Sequence, residues 1–210
     1  MITSNIGKIF LDAYNEKYGT SYDARTFFLE QFYPLFFDQN KYMMTAGNSP
    51  LENPKLSWDD MIKGKKPFET PEQRKNRFEK LIKKIEESEA DASIARGYAS
   101  LDVTATTSGQ VTDLKLPNSQ EEIYTSWIGD ALGIGVQGGF SILFSNKEIL
   151  LDIFEGWKLY RTSLNETTML KGNQINTWNG QWLSHYYDPR EYDADMPLAG
   201  YSPYNTNKDG

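Results

Sequence analysis

A chain of 210 residues with 39% hydrophobic side chains can bury a sizeable core, and 13 Tyr, 11 Phe and 5 Trp make that a core of rings more than of aliphatic layers. The absence of cysteine excludes disulfides, zinc–thiolate and iron–sulfur sites and thiol nucleophiles, while a net charge of −7 excludes a surface that grips nucleic acid all over. The start MITSNIGKIF lacks the basic and apolar regions of a signal peptide, no apolar run reaches the roughly 18 residues of a membrane span, and a cytoplasmic location is expected.

Residues 5–17 place Ile6, Ile9, Phe10, Ala13 and Tyr14 at helical spacing, and Gly19 ends that helix. Ser21 or Asp23 starts a second helix carrying Phe27, Phe28, Leu29, Phe32 and Tyr33, which Pro34 should kink or stop. Residues 38–57 hold three turn-forming clusters and read as a long loop, a length uncommon in a compact domain unless the loop is functional or packed on a partner. Thr70-Pro71-Glu72-Gln73 is a capping box with proline at the first helical position; its helix runs to about Glu89 and buries Phe78, Leu81, Ile82 and Ile85. The segment between Lys63 and Lys84 is a local basic strip on this acidic chain.

The 98–116 segment reads as a β-hairpin. Leu101, Val103 and Ala105 alternate with Asp102, Thr104 and Thr106, and Ser108-Gly109 supplies the turn. A two-residue turn sets Asp102 opposite Lys115 and Thr104 opposite Asp113, so Asp102, Asp113 and Lys115 share a face. Ser119 to Glu122 is a second capping box, opening a helix that buries Ile123, Tyr124, Trp127, Ile128 and Ala131. Both this helix and the next should pack on the sheet face of Leu101 and Val103. Gly133 to Gly139 interrupts, Phe140 to Phe144 reads as a buried strand, and a third capping box from Ser145 to Glu148 opens the longest helix, to about Leu164. Lys171 to Tyr187 is polar but holds two tryptophans around an Asn179-Gly180 turn signal, and the chain beyond Asp188 is too poor in aliphatic residues to build its own core. The order of elements predicts an α+β fold, with helices packed on a small antiparallel or mixed sheet that includes the 98–116 hairpin. It predicts a single aromatic-rich domain over 1–187 and an irregular tail over 188–210.

Several constellations bear on chemistry. Asp102 and Asp113 can hold Mg²⁺ through hard oxygen ligands, and Lys115 can face a phosphate. The pattern Asp102…Asp113-Leu114-Lys115 resembles the PD-(D/E)xK nuclease motif, with Leu101 in place of its proline and Asp113 in place of the commoner glutamate. The resemblance implies Asp102, Asp113 and Lys115 as catalytic residues, with Asp102 and Asp113 as the metal ligands. The alternative is a cross-strand salt bridge on a wet sheet face. Gly133-Ile-Gly135-Val-Gln-Gly138 matches the dinucleotide fingerprint, but a helix precedes it and a strand follows, the reverse of the order that motif needs, so it reads as a flexible helix-to-strand connector with close backbone packing. Glu148, Asp152 and Glu155 share a helical face flanked by Lys158 and Arg161 and read as a solvated stripe; His185, the single histidine, reads as a loop residue. Trp178, Trp182 and Tyr186 with Asn176 and Asn179 have the chemistry of a recognition surface, in which rings stack on a ligand and amides read its edges. The competing reading is a wall whose amides satisfy backbone groups while its rings plug the core.

Two functions follow. The first is a binding or assembly module, a subunit or domain of a larger complex of which nucleic acid is one candidate component; its expected partner is a protein or a second copy, with the strip between Lys63 and Lys84 as the place for nucleic acid. The second is a Mg²⁺-dependent phosphodiesterase or nuclease built on the hairpin, with Mg²⁺ as its cofactor. The first accounts for more of the chain.

Overall fold

In the computed structural model, which describes residues 1–45, 51, 58–88, 90–98, 100, 119–136, 140–168, 170 and 175–201, the N-terminal periodicity becomes helix α1, Ile2–Tyr18. Gly19 ends it at φ 63°, a left-handed conformation that is cheap without a Cβ, and its N–H caps Asn15 O. Asp23 caps the next helix by accepting from the Thr26 N–H. The chain then stays helical to Phe36 as α2 (Ala24–Phe27), a π-helical turn (Phe28–Phe32) and α3 (Tyr33–Phe36). Pro34 therefore does not stop the helix. It sits in the first turn of α3, and ahead of it the Tyr33 N–H reaches back five residues to Phe28 O. A proline removes one donor and crowds the carbonyl four residues earlier, and the wider π spacing absorbs both.

A short helix α4 (Trp58–Ile62) precedes α5 (Pro71–Glu87). The expected capping box forms in both directions: the Gln73 N–H donates to Thr70 Oγ1 at 3.2 Å and the Thr70 N–H to Gln73 Oε1 at 2.8 Å. Leu81 and Ile85 are buried. Helix α6 (Gln120–Ala131), capped by Ser119, is covered on nearly every side, burying Thr125, Ser126 and Gly129 as well as its apolar residues. Helix α1 lies along it at backbone distance, because a Cβ on Gly129 would collide with Thr3 O and one on Gly7 with Thr125 O.

Strands β1 (Ile134–Val136) and β2 (Phe140–Ile142) pair antiparallel, with Ile134 opposite Ile142 and Val136 opposite Phe140. The strand expected to be buried over 140–144 is shorter and lies outside: Phe140 is 72% and Ile142 45% exposed. Its partner β1 is the strand that packs on the last helix, so β2 is left on the far side. Helix α7 (Lys147–Glu166) begins one residue later than its predicted capping box, since the Asn146 side chain, not Ser145, accepts from the Ile149 N–H at 3.1 Å.

Helix α8 (Ile175–Tyr186) runs straight through the Asn179-Gly180 turn signal. Tertiary packing decides here against local preference. Gly156 on α7 leaves room for the Trp182 ring, which a Cβ would strike, and Gly180 brings α8 close to Ile134. His185 is accordingly helical, 5% exposed, with Nε2 3.0 Å from Pro197 O. Residues 188–201 run in turns without helix or strand, and Tyr192 and Tyr201 lay their rings on Trp182 and His185.

The architecture is α+β, mostly helical with a small two-stranded antiparallel sheet. Its core is a continuous body of rings. Phe32 and Phe36 stack at 4.2 Å, and Phe36 meets Trp157 edge-on at 4.9 Å. The polar tips of three tryptophans find partners inside: Trp127 donates to Ile94 O, Trp157 to Asn179 Oδ1 and Trp182 to Asp152 O, at 2.8 to 2.9 Å. Among the described residues, no helix is long and apolar enough to cross a membrane.

Candidate ligand-binding cleft

A cleft of about 510 Å³ opens where three distant segments meet. The chain leaving α3 contributes Asp38, Gln39, Asn40 and Lys41; α5 contributes Arg74; the end of α7 and the residues after it contribute Leu164, Asn165 and Thr168. Ile62 at the end of α4 and Phe68 add apolar wall. Each side is held locally. The capping box at Thr70 fixes the first turn of α5, so Arg74 can donate from Nη1 to Glu69 O (2.7 Å) and Asn40 Oδ1 (3.3 Å) and from Nε to Asp38 Oδ1 (2.9 Å). On the other side, the Met43 N–H returns to Phe36 O and holds the intervening residues against the end of α3.

Two cations lie beneath this cleft with carbonyls, not carboxylates, as partners. Lys41 is 8% exposed and donates from Nζ to Leu164 O at 2.9 Å and to Thr167 O, both at the C-terminal end of α7. Thr167 O also accepts from the Leu170 N–H at 3.2 Å, and the negative end of the helix dipole favours an ammonium there. Burial and the neighbouring Arg161 charge lower the Lys41 pKa. Arg161 is 7% exposed and spreads its guanidinium over Leu35 O (2.8 Å), Lys41 O (2.7 Å) and Phe36 O (3.3 Å), with Asn165 Oδ1 at 3.4 Å. Burial lowers its pKa to about 10, which leaves it charged at neutral pH. The Glu69 carboxylate, beside Phe68 of the cleft wall, is engaged: its Oε2 accepts from Arg77 at 2.7 Å and from the Tyr42 hydroxyl. Small-molecule sites combine such features, a concavity of some hundreds of cubic ångströms with apolar walls and a few convergent polar groups.

Of the residues singled out from sequence, those of α8 lie away from this cleft. Asp102, Asp113 and Lys115, with Leu101, Val103 and the hairpin register, fall within 101–118, outside the described residues. Trp178 (2% exposed), Trp182 (1%), Asn176 (7%) and Asn179 (0%) are interior residues of α8, and their chemistry is spent inside the fold. Asn176 Nδ2 donates to Asp130 O and Gly133 O, and Asn179 Nδ2 to Ala131 O and Gly133 O, at 2.7 to 3.0 Å. These amides thus close the open carbonyls at the end of α6, where a ligand-facing amide would have to stay free. Trp178 stacks on Tyr160 at 4.3 Å, and Tyr186 packs against Tyr192 at 4.8 Å. Gly133 and Gly135 belong to the connector that this arrangement needs, because a Cβ on Gly133 would stand 2.7 Å from Asn176 Nδ2.

The acidic face of α7 is divided among cations and hydroxyls: Asp152 accepts from the Tyr187 hydroxyl at 2.6 Å, and Glu155 from the Tyr18 hydroxyl and from Lys158 at 2.9 Å. Among the described residues, no three histidine, aspartate or glutamate side chains converge as metal ligands would. Lys41 and Arg74 come from the 38–57 loop and the basic strip, the two stretches that stand out in the sequence, and nothing in the sequence joins them to Asn165. Compared with family models, curated proteins and solved structures, the chain matches none.

Proposed function

We propose that the chain is a binding module whose ligand-binding face is the cleft between the end of α3, the start of α5 and the end of α7. The observation that carries this is Lys41, a cation more than nine-tenths buried in the wall of a cleft of about 510 Å³. A buried ammonium is costly, and a fold that needed only to close the end of α7 could do so with exposed residues. The desolvated charge beside an apolar wall is the arrangement by which a site orients a small ligand. Membership of a larger assembly remains part of this reading, supported by the apolar side chains of Val136, Phe140 and Ile142 that the β1–β2 ribbon holds in solvent.

An amide-resolved titration with a panel of small aromatic fragments tests the reading. The shifts should cluster at Asn40, Lys41, Asn165 and Thr168, with saturation. Shifts confined to the ribbon, or none at all, would contradict it.

A further inference from the structure

We infer that the Lys41 cleft takes a small organic anion, a carboxylate or phosphate group on an apolar body, with the Lys41 ammonium as its charge partner. This rests on the reading of the cleft as a binding site and narrows its ligand. An ammonium carries three N–H donors, and Lys41 gives two of them to Leu164 O and Thr167 O. One donor is left, on a residue that is 8% exposed and lines the cleft.

The balance of charge points the same way. Lys41, Arg74 and Arg161 stand against Asp38 among the groups of the cleft and its floor, and Asp38 is already paired with Arg74 at 2.9 Å. Carbonyl dipoles satisfy the hydrogen bonds of Lys41 and Arg161 but offset only part of their charge, so an anion placed here gains from both. A cationic ligand would meet that excess as repulsion. A neutral one would leave it unused.

The rest of the wall describes the remainder of the ligand. Ile62, Phe68 and Leu164 offer apolar surface, and Asn40, Asn165 and Thr168 offer hydrogen bonds at the rim. A bare inorganic ion would cover little of that surface. A ring or short chain bearing one anionic group matches both the charge and the volume.

The probes are phenyl phosphate and benzoate, with benzyl alcohol as the neutral control, titrated calorimetrically and by amide shifts at low ionic strength. At least one anion should bind with shifts at Asn165 and Thr168, more tightly than benzyl alcohol, and weaken as salt is raised. Binding by both anions marks charge alone as the determinant; binding by one assigns the class to phosphate or carboxylate. Thr168→Glu should weaken anion binding about tenfold and Thr168→Lys should strengthen it, since an exposed rim position can change charge without disturbing the fold. Lys41→Met should abolish binding. If that variant fails to fold, the opposed Thr168 variants still decide. Benzyl alcohol binding in the cleft as tightly as the anions would overturn the anionic ligand while leaving the cleft as a binding site. Anion binding indifferent to both Thr168 variants would overturn it too, and silence of the cleft toward all three probes would overturn both readings.

Discussion

At the scale of single residues, Gly129 shows what the packing of this molecule demands. On an isolated helix, alanine would be better than glycine by about 1 kcal/mol. Here a methyl group would meet backbone, Thr3 O and the Gly7 nitrogen at 2.7 Å, which cannot move aside as a flexible side chain can. Overpacking of this kind costs about 1–3 kcal/mol. Gly129→Ala should therefore destabilise by about 2 kcal/mol in urea unfolding; a gain in stability would mean that α1 and α6 are not in backbone contact. Glu155 makes a second test. Burial pushes its carboxyl up, but hydrogen bonds from Tyr18 and Lys158 and the charges of Lys158 and Lys17 outweigh burial and hold it below the usual 4.5. The unfolded chain then takes up the proton first on acidification. The stabilisation is complete above pH 4.5 and fades as pH falls below it toward the folded-state pKa. Glu155→Gln should be less stable than the parent near neutral pH, and the gap should close as pH is lowered below 4.5. A gap that widens in acid would contradict the assignment.

At the scale of elements, helix starts were the clearest feature of the sequence. The full box at Thr70 and the Ser119 half of the second one form where their residues predict, because a capping side chain acts on donors two or three residues away and needs no tertiary partner. Thr70→Ala should cost about 1 kcal/mol of stability and loosen the first turn of α5, which hydrogen exchange at Gln73 and Arg74 would report. If it changed neither, the box would not be what holds Arg74 in place. The elements misread were those decided from a distance. The Asn179-Gly180 pair looks like a turn, but its amide closes the end of α6 and its missing Cβ admits Ile134, so the helix continues. The Phe140 strand looked buried because it is apolar; the covering helix lies on β1 instead. His185 followed the fate of α8.

At the scale of the whole molecule, the cleft exists because Lys41, Arg74 and Asn165, more than a hundred residues apart at their extremes, are brought to one place. The sequence marked two of those stretches as unusual, a long loop and a basic strip. It carried no signal that the last turn of α7 would turn its carbonyls on the first of them. A periodic pattern reports which face of a helix is buried, but not which helix end will receive a lysine from another segment. The recognition chemistry of the α8 cluster was legible for the opposite reason: amides and rings are conspicuous in a sequence whether they meet a ligand or, as here, the end of α6. A crystal structure of the full chain grown with phenyl phosphate tests the cleft most directly. The account predicts the phosphate within hydrogen-bond distance of Lys41 Nζ and the ring against Phe68 and Leu164; phosphate bound only along the exposed lysines of α5, with the cleft unchanged, would contradict it.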